Sequence, residues 1–378
     1  MKYKLSRRIV AAVAAVVVAA VAAAPATAGV KKFRKKQPRP VQLGTSAGNA
    51  EDFSLDPPFI SCAGGTAGAL LKMEDPEDPD GELYFILSNN HVLALGNQGS
   101  PGDEIVQPGL IDTDCESASE DAIAHLSSFK KIKFGGKKRN HVDMAIAEVV
   151  DGAVRENGKI LRLGVPGNGV VDAEPGQKVK KSGRTTGFTR GDVFLVDTDV
   201  LVDFLSSGAT KTALFRNQDV VESRNRDFSG GGDSGAVVYL DAGKCSPAIG
   251  LLFAGNANFT ALNPMERVLG AAKKLRPRGE KTLVGCDSPV AAVAAFSARE
   301  DRGFRNAQRV KERFADRVLE IDGVVGVGVG REKTGTGDAM AVLRVLVERA
   351  DDETLAEIPG ELDGVPVRVV VTGRFKAF

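Results

Sequence analysis

The chain of 378 residues has no tryptophan, three tyrosines, three histidines and four cysteines. A ligand cage built on indole rings is therefore excluded. Only His91, His125 and His141 can supply an imidazole, no HExxH is present, and no two cysteines form a CxxC. A zinc site is not expected, nor any other metal or organic cofactor. A strong excess of one charge is also missing, the formal net charge being +1. That balance hides an uneven distribution. Lys2, Lys4, Arg7, Arg8, Lys31, Lys32, Arg34, Lys35, Lys36 and Arg39 concentrate positive charge at the start and leave the remainder acidic. An acidic body repels phosphates, so a nucleic-acid partner is not expected. The one long apolar run, Ile9 to Ala24, is rich in alanine. At roughly 16 residues it falls short of the roughly 20 that a stable membrane helix needs.

What is present is ordinary for a folded protein: 43% apolar and 26% charged residues, which excludes wholesale disorder. Forty-three glycines favour a turn-rich β structure. At roughly 150 residues per domain, two or three domains are expected. Residues 1–28 read as an export signal: a basic start, the apolar run, then the small-residue site Ala26-Thr27-Ala28. A permanent anchor is the competing reading. Residues 29–40 are basic, carry Pro38 and Pro40, and read as a solvated tail. Export places Cys62, Cys115, Cys245 and Cys286 in an oxidising compartment, where two disulfides with three possible pairings are expected. Cys62–Cys115 with Cys245–Cys286 keeps each bridge within one half of the chain.

From Val41 to Leu262 short apolar runs alternate with turn residues, as in Leu83-Tyr84-Phe85-Ile86-Leu87 and Ile249-Gly250-Leu251-Leu252-Phe253. Runs of four to six residues are too short for typical helices and predict an all-β barrel or sandwich. Glu74 to Gly81 reads as an acidic hairpin tip. Asn263 as N-cap and Pro264 at the first helical position predict a helix to about Leu275. Residues 277–300 read as a linker. A charged amphipathic helix is expected over Arg302–Leu319. Strands over Val324–Gly330, Ala341–Val347 and Val365–Val371, with a short helix at Asp352–Ile358, make residues 301–378 a small α+β domain. The glycines of Gly326-Val327-Gly328-Val329-Gly330 lack dinucleotide-fingerprint spacing and read as a strand relieved of side chains.

Three stretches carry chemistry. Asn89-Asn90-His91 follows a strand, Val142-Asp143-Met144 stands at a strand entrance, and Gly232-Asp233-Ser234-Gly235 forms a glycine-rich turn before a strand. Acyl transfer by a hydroxyl needs an imidazole to take its proton and a carboxylate to hold that imidazole in one tautomer. Ser234, His91 and Asp143 offer these groups, and the N–H groups of Gly232 and Ser234 offer an oxyanion site. Asp112 or Asp114 would replace Asp143 if the strand were displaced. Every histidine precedes Ser234, which excludes the α/β-hydrolase order with Ser234 as nucleophile. The order His91, Asp143, Ser234 is that of chymotrypsin-like proteases.

On these motifs residues 41–276 resemble the trypsin-like (chymotrypsin-fold) serine peptidases. Ser182-Gly183-Arg184-Thr185-Thr186-Gly187 is similar to a loop of exported bacterial members, the alpha-lytic and streptogrisin-type proteases. The resemblance implies a mainly β chain of two antiparallel six-stranded barrels, about 41–150 and 151–276, with the cleft between them. It implies secreted serine endopeptidase activity on protein or peptide substrates, without a cofactor. The alternatives are an esterase on the same triad, or a weakly active or inactive secreted binding protein on a peptidase fold. It also implies that Arg184 pairs with Asp233 to support the site. Phe228, Phe253, Ala254 and Gly255 would line the substrate pocket, with a weak preference for apolar or small side chains.

Overall fold

The structure, a computed structural model, describes residues 31–56, 59–78, 80–206, 209–223, 227–289, 301–333 and 339–377. The expected leader, 1–28, and the second part of the expected linker, 290–300, lie outside these. The chain is mainly β. The short apolar runs become strands because their side chains alternate between the two faces of a pleated sheet, one of which must be buried. One sheet of eight strands runs in the order Thr282–Leu283, Ala69–Glu74, Glu82–Ser88, Ala145–Val149, Ala122–Phe129, Glu104–Val106, Thr45–Asn49, Gly65–Ala67. A second, of twelve strands, is built on the long hairpin Gly187–Ser206 and Ala209–Ser223, together with Lys178–Gly183, Val237–Leu240, Ala248–Gly255 and Phe259–Pro264.

Both sheets exceed the expected six strands, the first with seven strands of its own plus one from the linker, the second through segments that join it from elsewhere. Thr282–Leu283, from the expected linker, pairs with Lys72 and Leu71, and buries Leu283. Gly135–Asn140 crosses to lie parallel to the second arm of the long hairpin. The cysteines pair as Cys62–Cys115 and Cys245–Cys286, and the second bridge ties the same linker to the second sheet's side.

The C-terminal residues do not form a separate sheet. Val324–Lys333 pairs with the long strand at Val196, Asp199 and Val200, and Ala339–Val347 and Val365–Val371 extend the sheet from there. The glycines in this stretch are explained by that packing. A Cβ on Gly328 would stand 2.3 Å from the Thr198 hydroxyl. The helix Arg302–Val318 lays Phe304, Ala307, Val310 and Val318 into one core with Val193, Val196, Val238 and Leu252 of the second sheet.

Lys311 is the exception on this helix face. It is buried and its ammonium lies 2.5 Å from Asp199, which also takes Arg216 at 2.5 Å. Burial pushes the Lys311 ammonium below its ordinary value, and Asp199 opposes that shift.

From residue 31 onward the basic tail lies against the body, while Lys31, Lys32, Lys35, Lys36 and Arg39 stay exposed as expected. Lys31–Arg34 forms a helical turn with Phe33 buried against Gly187. The Arg39 guanidinium donates to the Glu120 and Ala122 carbonyls at 2.6 and 2.5 Å. Charge dominates this segment's composition, yet one aromatic side chain docks it.

If the C-terminal helix is part of a shared core, Lys311→Ala should weaken the whole molecule. Removing one partner of a buried ion pair costs about 3 kcal/mol. Urea unfolding should show one transition with a lowered midpoint. An early separate transition would show instead that residues 301–377 melt independently.

Candidate active site

The imidazole and carboxylate meet because of strand register. Ser88, the last residue of its strand, pairs with Ala145, the first of the neighbouring antiparallel strand. His91 follows the one and Asp143 precedes the other, so the two side chains emerge together. His91 Nδ1 lies 2.6 Å from Asp143 Oδ2. Asp143 is fully buried and the His91 side chain is 11% exposed. A carboxylate so buried must have its lone pairs occupied. Its Oδ1 accepts the N–H of Asn90 at 2.8 Å and of His91 at 3.3 Å. The Asn89 amide donates to the Asp143 carbonyl at 2.7 Å.

A third support comes from Asn263. Its Oδ1 accepts the Asp143 N–H at 2.8 Å, and its amide donates to Gln218 Oε1 at 2.6 Å. The N-cap role expected of Asn263 is therefore corrected. The strand continues to Pro264, the helix runs Met265–Ala272, and the Asn263 side chain serves the Asp143 backbone N–H instead.

Ser234 lies in the turn that precedes Val237–Leu240. Gly232 and Gly235 adopt φ of +96° and +92°, a region open mainly to glycine. A Cβ on Gly235 would come within 2.0 Å of the Ser88 hydroxyl, so the turn sits directly on the strand that leads to His91. Thr66 fastens it there. The Thr66 N–H donates to the Ser234 carbonyl at 2.8 Å, and its hydroxyl donates to the Gly232 carbonyl at 3.0 Å. Val92, the neighbour of His91, and the Ser234 carbonyl both come within 3 Å of where a Cβ on Gly65 would stand. Ser234 is fully buried, and its hydroxyl lies 3.3 Å from the Phe253 carbonyl. Among the described residues no backbone carbonyl accepts the N–H of Gly232 or of Ser234.

The expected pair of Arg184 with Asp233 is not formed. Arg184 makes a two-pronged contact to Asp112, with both N–O distances 2.6 Å. Asp112 is thereby engaged elsewhere and does not stand in for Asp143. Asp233 instead faces Lys181 at 3.1 Å, both side chains fully buried. It also accepts the N–H groups of Thr185 at 2.7 Å, Thr186 at 3.2 Å and Gly230 at 3.0 Å, and the Thr186 hydroxyl at 2.7 Å. The loop thus serves Asp233 through its backbone rather than its guanidinium. A signal existed in the sequence. Lys181 shares an inward-facing parity with Val179, and a lysine facing inward on a strand requires a buried anion.

The four pocket candidates separate. Phe228 is fully buried in the core of the second sheet, its ring 5.9 Å from the Lys181 ammonium. Phe253 and Ala254 belong to another cluster, beneath the long hairpin, with Phe204 and Phe215. Phe228 therefore packs in a different cluster from Phe253 and Ala254, and all of these side chains are buried. His125 is exposed, and the His141 carbonyl accepts from the Gln218 amide. Among the described residues no group of three or more His, Cys, Asp or Glu side chains is placed to hold a metal ion.

Two residues near His91 were not anticipated. Phe204, towards the end of the first arm of the long hairpin, meets the His91 ring edge-on at a centroid distance of 5.8 Å. Nothing local in Asp203-Phe204-Leu205 marks that contact, which depends on how far the hairpin reaches. Asp52 is the other. Burial pushes its carboxyl up from 3.8 to about 6, and the nearby His91 opposes the shift.

No protein-family model and no curated protein matches the sequence. Among solved structures the chain is similar to a glutamic-acid-specific serine protease, at 17% identity and a TM-score of 0.40, over 64% of this chain and 100% of that one. It is similar to Thermobifida fusca protease A at 15% identity and a TM-score of 0.37, over 63% and 98% of the two chains. It is also similar to Nocardiopsis protease at 13% identity and a TM-score of 0.38, over 58% and 93%. At such values the likeness is one of mainly β fold, and the chemistry has to be read from the site.

Asp52 yields a pH prediction. Between about pH 4 and pH 6 the folded chain retains a proton that the unfolded chain has released, so stability falls as pH rises through that window. Asp52→Asn removes the cost. It should stabilise the protein by up to about 3 kcal/mol at pH 7.5 and leave it unchanged at pH 4. Urea unfolding at both pH values checks this, and an equal effect at both would contradict it.

Proposed function

We propose that this chain is a serine endopeptidase with His91, Asp143 and Ser234 as its triad. The observation that carries the reading is the buried 2.6 Å contact of Asp143 with His91 Nδ1, beside a glycine-rich turn bearing a hydroxyl. A carboxylate on Nδ1 keeps the proton there and leaves Nε2 as the basic nitrogen. His91 takes the Ser234 proton as the Oγ attacks a peptide carbonyl, and Asp143 stabilises the imidazolium that results. The N–H groups of Gly232 and Ser234 receive the oxyanion, a contribution of about 3 kcal/mol per donor. Collapse of the tetrahedral intermediate breaks the C–N bond, and His91 returns its proton to the leaving amine. Water then attacks the acyl-enzyme by the same route in reverse.

Lys181 and Asp233 are positioning residues in this scheme. Their ion pair and the surrounding backbone bonds fix the residue next to the nucleophile. Two disulfides and the leader read in residues 1–28 support export. Among the described residues no helix is long and apolar enough to cross a membrane.

A fluorophosphonate probe, incubated to completion and located by mass spectrometry, should modify Ser234 and leave Ser234→Ala unlabelled. Asp143→Asn, which keeps the shape but loses the tautomer, should slow labelling by about 10⁴-fold. Equal labelling of the wild type and Ser234→Ala would overturn the assignment.

A further inference from the structure

The strand Ala248–Gly255 carries the Phe253 carbonyl, 3.3 Å from the Ser234 hydroxyl. A peptide bringing a carbonyl to Ser234 along this strand would pair with Ala254 and Gly255, adding a strand to the sheet. That edge is occupied. Phe375–Ala377 pairs with it antiparallel, Ala377 opposite Ala254 and Lys376 opposite Gly255. The direction matters: from Lys376 to Ala377 the segment advances towards Phe253, and so towards Ser234. An acyl-donor peptide runs the same way, because the bond to be cut lies on the carboxyl side of its paired residues.

Other contacts hold the segment in place. It also pairs, in parallel, with Val202 and Asp203 of the long hairpin. Phe375 is fully buried in the cluster that contains Phe204, Phe215 and Phe253. Through Phe204 this cluster reaches the His91 ring. The Arg374 guanidinium grips Asp203 at 2.7 and 3.2 Å and Glu348 at 3.3 Å. Ser234 itself has no exposed surface.

We infer that the chain's own C-terminal strand occupies the acyl-side substrate groove and holds the protein in a self-inhibited state. This rests on the reading of Ser234 as nucleophile. The occupant is an extended peptide with a bulky apolar side chain in the aromatic socket and a small one two residues later. Phe375 and Ala377 fill those places here. A competing substrate has to displace it.

The test uses the full chain. Arg374→Ala releases the ionic grip, and Lys376→Pro disrupts the strand pairing while leaving Phe375 in place. Each should raise the rate of fluorophosphonate labelling at Ser234 about tenfold or more, as the open fraction grows. A fluorescent peptide of sequence Gly373–Phe378 should bind the double variant, measured by anisotropy in a Ser234→Ala background, and should not bind the chain with its native strand. Added to the double variant with Ser234 intact, the unlabelled peptide should restore slow labelling. Unchanged labelling rates together with no peptide binding, in variants that keep the native melting temperature, would overturn the inference. Peptide binding without Ser234 labelling in any variant would instead overturn the peptidase reading and leave the groove's occupant established.

Discussion

The seating of the Ser234 turn against the strand that leads to His91 depends on Thr66, in a strand only three residues long. Its N–H and hydroxyl donate to the Ser234 and Gly232 carbonyls, its hydroxyl accepts the Arg184 N–H, and its carbonyl accepts the Ser88 hydroxyl. Thr66 is fully buried, so each of these groups would pay a desolvation cost of about 1–3 kcal/mol if left unpaired. Among the described residues the Ser234 turn has no hydrogen bond of its own to the Glu82–Ser88 strand. One threonine thus fixes a turn from the second sheet on the strand that leads to the imidazole. Gly235 completes the fit, because the approach leaves no room for a side chain.

Asp143, Asp199 and Asp233, three of the buried aspartates, are satisfied in three ways, and the differences bear on chemistry. Asp199 faces two cations, Lys311 and Arg216, and joins the C-terminal helix to the long hairpin. Asp233 faces one cation and three backbone N–H groups, which fixes its backbone beside Ser234. Asp143 has two N–H groups and an imidazole, and among the described residues no lysine or arginine side chain pairs with it. Of the three, only the last leaves its carboxylate directed at a group that can gain a proton. A fixed cation at that position would satisfy the carboxylate and remove its influence on His91.

Much of the candidate site was proposed from sequence because its parts are local. A strand end, two asparagines and a histidine, or a glycine-framed serine, each declares its backbone geometry within a few residues. Supports drawn from afar were not legible. Asn263 looked like a helix cap because Asn-Pro before an apolar run is a good helix start, and only the fold reveals that it faces Asp143. The resemblance of the Ser182–Gly187 loop to that of exported bacterial proteases implied Arg184 as the partner of Asp233, yet its guanidinium reaches Asp112. Lys181 could have been found from its parity with Val179. Phe33 was obscured by the lysines around it. The C-terminal strands were recognised as strands, but their attachment to the long hairpin depends on a twenty-residue strand that short apolar runs do not announce.

That attachment explains why the C-terminal residues are built as they are. A short segment such as Phe375–Ala377 buries too little backbone to hold a position by itself. Here it inherits its place from larger elements. Val324–Lys333 is joined to the long strand, Ala339–Val347 to that, and Val365–Val371 runs parallel to the latter. The chain then returns over Glu348 and Asp203, which hold Arg374 one residue before the strand begins. Each step leaves the next with less freedom to lose, so the entropy of ordering the last residues falls mostly on contacts already made. A C-terminal module sharing the sheet of the second half can therefore deliver three residues to the edge beside Ser234. A domain on a loose tether would have to bear the whole ordering cost at the groove.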